Sequence, residues 1–207
     1  MTPTPAAPTA LDAALLRRWI RLAEHTAGTT RGLVDSLNVF PVPDSDTGSN
    51  VWLTLRWAAD ALDLLPARAD LSQTARAVAD GAVRGARGNA GLLVSQALAA
   101  VADVAAEAPD PARLRPVELV HVYERMAATT WAAVSRPVTA TLLTVAHDAA
   151  ASARSSLEEA TPARPATISL IASSAALGAQ EGVVEAIRAF RRRRTVSRAP
   201  SGPGPGR

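Results

Sequence analysis

Between residues 38 and 47 the chain reads Asn-Val-Phe-Pro-Val-Pro-Asp-Ser-Asp-Thr, and no helix can run through it. Pro41 and Pro43 fix their own φ, remove two backbone donors and push the residues before them out of the α region. On either side the pattern is helical. Leu11–Leu37 carries apolar positions at Leu15, Ile20, Leu22, Leu33 and Leu37, with a soft point at Thr26–Gly32. Gly48–Leu65 resumes the pattern, with Asp46, Thr47 and Ser49 as possible caps, and ends at Pro66. A stiff loop between two amphipathic helices therefore sets the start of the fold.

The rest of the chain repeats this organisation. Helices are predicted over Leu71–Ala86, Asn89–Ala108, Val117–Val134, Thr139–Leu157 and about Thr167–Arg191, separated by short Gly- or Pro-containing turns. Aromatic residues make up only 3% of the chain, so alanine and leucine carry the burial, and alanine costs least in a helix interior. The expected fold is all-α, an antiparallel helical bundle or barrel of about seven or eight helices with few strands. No internal repeat is visible.

Absences and charge narrow the function. The chain has no cysteine and no lysine, which excludes thiol nucleophiles, zinc ribbons, a P-loop lysine and Schiff-base chemistry. Seven of the 22 arginines fall from Arg188 onward, leaving 15 against 19 acids in the body. The pI near 10.7 is thus a property of one end, and nucleic acid is not the expected partner. Residues 1–10 and 191–207 are expected to be disordered, flanking one domain over 11–190. No basic n-region precedes an apolar segment, and no stretch reaches the ~20 uninterrupted apolar residues of a membrane span, so the chain reads as cytoplasmic.

Three segments carry possible chemistry. Asp44 and Asp46 sit two apart on the stiff loop, and their repulsion is best relieved by a hard cation such as Mg²⁺ or Ca²⁺. Thr47, Gly48, Ser49 and Asn50 follow at a helix start, where hydroxyls, free N–H groups and the helix dipole favour an anion. The plain alternative is a turn residue and an N-cap. Gly85–Gly91 (GARGNAG) also opens a helix, and its glycines allow close approach of backbone to an anion or serve as a helix C-cap and turn. In the third segment, Ser135–Val145, Thr139, Thr141 and Thr144 are donors to phosphate or simple caps. His25, His121 and His147 read as structural or surface residues, and Trp52 and Trp57 as core packing.

Taken together, LNVFPVPDSDTGSN followed by GARGNAGLLVSQ resembles the N-terminal nucleotide-binding domain of bacterial fatty acid kinases. More distantly it is similar to the DhaL-type ATP-binding domain of dihydroxyacetone kinases. The resemblance covers roughly Leu11–Ala150 and implies a barrel of eight antiparallel helices with ATP or ADP and two Mg²⁺ at one end. It implies metal ligation by Asn38, Asp44 and Asp46. Phosphate contacts would come from Thr47, Gly48, Ser49 and Asn50, from Gly88, Asn89, Ala90 and Gly91, and from Thr141 in the third segment. It also implies a small acceptor, a fatty acyl carboxylate or a hydroxy-ketone, presented by a partner protein. Arg87 and Arg136 are the cations beside these motifs.

Four departures bear on activity. Ser45 stands where the family has glycine, a mild change if its φ is negative. Ala90 replaces Ser or Thr, Thr139-Ala140 replaces Glu-Gly, and the late Asp-Ala-Gly-Gly stretch is missing. The expectation is a Mg²⁺-dependent phosphotransferase domain. The alternatives are a regulatory module that binds Mg–nucleotide without turnover, and a truncated inactive kinase fragment.

Overall fold

The computed structural model describes residues 8–38, 44–133 and 142–196, without the side chains of 185, 186 and 189–196. The described residues form seven helices: α1 (Ala13–Leu37), α2 (Thr47–Asp63), α3 (Leu71–Gly85), α4 (Gly88–Glu107), α5 (Pro116–Ala132), α6 (Leu142–Glu158) and α7 (Ile168–Val196). Two very short strands, β1 (Leu11–Asp12) and β2 (Arg113–Leu114), pair antiparallel. Sequence periodicity could not reveal two-residue strands. Leu11 and Leu114 face each other there, almost fully buried, and tie the start of α1 to the α4–α5 connection.

Each helix packs chiefly on the next, α1 on α2 through to α6 on α7, and α2 also packs on α4. Successive helices alternate in direction. The C-terminal ends of α1, α3 and α5 therefore share one end of the bundle with the N-terminal ends of α2, α4 and α6. The described parts of the first two motif segments, Asp44–Asn50 and Gly85–Gly91, lie at that end.

Local signals fix most boundaries. Asp12 caps α1 by accepting from the Leu15 N–H at 2.8 Å, and Asp70 with Gln73 forms a capping box on α3. Leu71, Ala75, Val78 and Ala82 then make a continuous buried stripe. Helix α4 is long and apolar enough to cross a membrane by length and composition, with mean hydropathy 1.4. Here it packs against α2, α3 and α5.

Three expectations change. Helix α1 has no break at Thr26–Gly32: the Thr29 and Thr30 hydroxyls donate to the Thr26 carbonyl, and Gly28 makes room for the Trp52 indole of α2. Trp57 is 45% exposed, not a core residue, because it lies on the α2 face that overhangs Gly85. Helix α7 continues to Val196, past its expected end at about Arg191.

Alanine and glycine bring the helices close. Ala58, Ala59, Ala79, Ala82, Ala102 and Ala153 are all nearly inaccessible to solvent. A methyl added at Gly81 would lie 2.6 Å from the Trp57 carbonyl oxygen and 2.9 Å from the Ala61 side chain. Backbone cannot yield there as a side-chain tip can.

Helix α2 takes its N-terminal cap from another helix. Asp46 stands at the N-cap position but makes no side-chain cap bond. Instead Asp35, on the last turns of α1, accepts from the Ser49 N–H at 3.0 Å and the Ser49 hydroxyl at 2.7 Å. The Ser49 hydroxyl and then its N–H hold the Asp35 carboxyl below its usual range, with smaller help from the Gly48 N–H and Arg31.

Two predictions follow from these contacts. Gly81→Ala should destabilise the fold by about 1–3 kcal/mol in urea unfolding, as overpacking does; a neutral result would mean that α2 and α3 separate easily. For Asp35, the folded pKa lies below the unfolded one, so its contribution is complete above the ordinary carboxylate range and is lost on acidification. The stability gap between wild type and Asp35→Asn should be widest near neutral pH and shrink below about pH 4. A gap that does not change between pH 7 and pH 3 would contradict the charged cap.

Candidate functional site

The carboxylate loop begins where α1 stops. Asn38 leaves the helix at φ −77°, ψ 82°, with its N–H on the Asp35 carbonyl at 3.2 Å. Its side-chain amide donates to Asp44, so the structure brings two of the three expected metal residues into contact. Residues 39–43 lie outside the described residues. Asp44, Ser45 and Asp46 are exposed.

Ser45 has φ +53°, and it is the one non-glycine residue among those described with positive φ. The expected condition for a harmless serine was a negative φ, so this substitution carries strain. A left-handed conformation at a residue with a Cβ costs on the order of 1 kcal/mol.

The cap from Asp35 divides the work of the acidic residues. Asp35 takes the N–H groups at the start of α2, which leaves the Asp46 carboxylate out of capping. Gly48 is buried beneath Arg31 and Val34 of α1, and the Ser49 N–H and hydroxyl are both committed to Asp35. The Asn50 N–H bonds the Asp46 carbonyl at 2.8 Å. Of the four residues expected at a phosphate turn, Thr47 is left as the one not engaged in this way; it is half-buried.

The second turn meets the first through a side chain. Gly88 has φ +58°, and a methyl on it would lie 2.6 Å from the Asn50 amide nitrogen. One helical turn on, a methyl on Gly91 would lie 2.7 Å from the Thr54 hydroxyl oxygen. Asn50, Thr54 and Trp57, which share one face of α2, thus lie against Gly88, Gly91 and Gly85. Gly91 is buried and its N–H bonds the Arg87 carbonyl at 3.0 Å, so packing accounts for this glycine. Gly88, Asn89 and Ala90 occupy the first turn of α4, where N–H groups have no carbonyl four residues back within the helix. Gly88 and Asn89 are exposed.

Arg87 precedes this turn, but its guanidinium donates back to the carbonyls of Arg84, at 3.3 Å, and Ala86, at 2.8 Å. Arg136, Thr139, Thr141 and the rest of residues 134–141 lie outside the described residues. His25, His121 and His147 are exposed on helix surfaces. Sequence reasoning missed two contributors. Asp35 caps α2 from fourteen positions upstream, and Trp52 is held by an N–H bond to Glu24 at 3.0 Å with the Arg31 guanidinium 4.7 Å from its ring.

No group of three His, Cys, Asp or Glu residues is gathered among the described residues. The donor set at this end is two exposed carboxylates and one amide, all hard oxygen ligands. Mg²⁺ suits such a set, because it is held by one or two carboxylates and completes its shell with water and phosphate.

Uncharacterized proteins of Staphylococcus aureus strains USA300, NCTC 8325 and N315 are each 35% identical over 122 residues. The matched stretch is 58% of this chain and 21% of each relative, so it spans about a fifth of their length. Residues 41–197 match the family model of the DAK2 domain, which takes in both motif turns and α7. The chain belongs to the DAK2 domain family, the DhaL-type nucleotide-binding domains of the dihydroxyacetone kinase family.

Proposed function

We propose that this chain is a Mg²⁺-dependent ATP-binding phosphotransferase domain that passes the γ-phosphate to a small acceptor. The observation that carries the proposal is the Asn50 side chain lying against Gly88. It joins the carboxylate loop and the open first turn of α4 at one end of the bundle. Asn38, Asp44 and Asp46 would hold the metal, and the N–H groups of Gly88, Asn89 and Ala90 would take phosphate oxygens with the α4 dipole behind them. Mg²⁺ bound there would neutralise charge on the β- and γ-phosphates, the role lysine has in P-loop enzymes. The residues otherwise act by positioning, and no general base is assigned.

The acceptor is proposed from the resemblance to fatty acid and dihydroxyacetone kinases: a fatty acyl carboxylate or a dihydroxyacetone-like ketone, presented by a partner protein. A second reading is a module that binds Mg–nucleotide without turnover. Thr139-Ala140, in place of the expected Glu-Gly, favours it. Single-turnover transfer from labelled ATP to each acceptor class separates the two.

The metal assignment is tested by calorimetric titration of ATP with and without Mg²⁺. Asp44→Asn and Asp46→Asn should each lower the Mg²⁺-dependent affinity at least about tenfold, or about 1.4 kcal/mol, while leaving thermal stability within about 0.5 kcal/mol. Unchanged affinity in both variants would remove the site. Loss of affinity together with unfolding would return Asp46 to a structural role. For the strained serine, Ser45→Gly should raise stability by about 0.5–1 kcal/mol by thermal denaturation. A decrease would show that the Ser45 side chain supports the loop.

A further inference from the structure

Helices α5 and α6 form a surface groove with a space of about 540 Å³ between them. On α5 it is lined by Glu124, Ala127, Ala128 and Trp131. On α6 the lining residues are His147, Ala150, Ala151 and Arg154. In each helix the four fall at i, i+3, i+4 and i+7, which is one continuous face. The helices run antiparallel, and the Arg154 guanidinium donates to the Glu124 carboxylate across the groove, so the two faces are in register. Trp131 and His147 are therefore level with each other at the other end, seven residues or ~10 Å away at 1.5 Å per residue. Helix α7 packs on a different face of α6, against Val145, Asp148, Ser152 and Ser156.

The floor of the groove is four alanines, and Trp131 stands beside it 46% exposed. Small side chains let a further helix approach closely, and exposed tryptophan is the residue type that most often anchors an interface. The charges decide which partner fits. At one level the groove has an acid on the α5 wall and a base on the α6 wall; at the other it has an indole and an imidazole. A two-fold axis parallel to the helices lays α5 of one protomer on α6 of its partner and keeps these levels matched. Glu124 of each protomer then lies opposite Arg154 of the other, Trp131 lies opposite His147, and alanine floor meets alanine floor. Every helix is antiparallel to both of its neighbours, as in a four-helix bundle. A two-fold axis across the helices would instead set the ion-paired end of each protomer on the aromatic end of the other, and no acid would meet a base.

We propose that the α5–α6 face binds a second copy of this chain, making a two-fold dimer through an antiparallel four-helix layer. The charge pattern is complementary to itself only through that axis, and an isologous contact requires such a patch. The dimer does not depend on the nucleotide reading. It would set the motif ends of both protomers on the same side.

The test is sedimentation velocity on the full chain from about 1 μM to about 100 μM, with far-UV circular dichroism as the folding control. Wild type should pass from monomer towards dimer over that range, and a monomer throughout overturns the proposal. Ala151 is exposed, so Ala151→Arg should keep the helix signal and raise the dissociation constant at least about tenfold. E124R should weaken the dimer in the same way, because it sets arginine against Arg154 of the partner. E124R/R154E restores opposite charges and should recover the wild-type constant to within about threefold. A dimer that survives both Ala151→Arg and E124R lies elsewhere on the molecule and overturns the proposal. The chain has no cysteine, so introduced thiols report the axis even if a charge variant fails to fold. In an oxidised mixture of A128C and A151C chains the mixed disulfide should dominate, since Ala128 faces Ala151 of the partner. Disulfides formed mainly between identical variants overturn the arrangement.

Discussion

The close approach of α2 to the α3–α4 turn is the constraint on which the rest depends. Trp57, Asn50 and Thr54 of α2 lie directly on Gly85, Gly88 and Gly91, and none of the three contacts leaves room for a Cβ. Those contacts pull two separate polar turns to within side-chain reach of each other. Of the three glycines, Gly88 also needs its positive φ, which allows the chain to turn from α3 into α4.

A second arrangement makes the acidic loop available. An aspartate just before a helix usually spends its carboxylate on the helix's own N–H groups. Here Asp35 does this for α2 from the neighbouring helix, and the N-cap residue Asp46 does not. The separation assigns a structural acid to the α1–α2 junction and leaves two exposed acids, with Asn38, at the loop. Positive φ at Ser45 between them belongs to the same geometry, since strained backbone is retained where surrounding structure holds it.

Much of this was legible in the sequence, for local reasons. The prolines at 41 and 43 mark the loop, and the glycines at 85 and 88 together with Pro109 and Pro116 mark helix ends to within about two residues. Caps, prolines and glycines act over three or four positions, which is the range a single sequence reveals. The contacts that were missed are long-range. The partner of Asp35 lies across the whole loop, the Leu11–Leu114 pair joins residues about a hundred apart, and Trp57 takes its exposure from α3. The end of α7 lies about five residues past the expected one, because no proline or glycine marks it before Pro200.

The central claim is that one end of the bundle holds a divalent cation and a nucleotide together, and paramagnetic broadening by Mn²⁺ in place of Mg²⁺ addresses it directly. In amide spectra of the full chain, Mn²⁺ with ATP should bleach the resonances of Asp44–Thr47 and Gly88–Ala90 first. It should spare Leu64–Ala69 at the opposite end. Broadening that centres on other acids, such as Glu158 and Glu159, or that spreads evenly over the surface, would contradict the account.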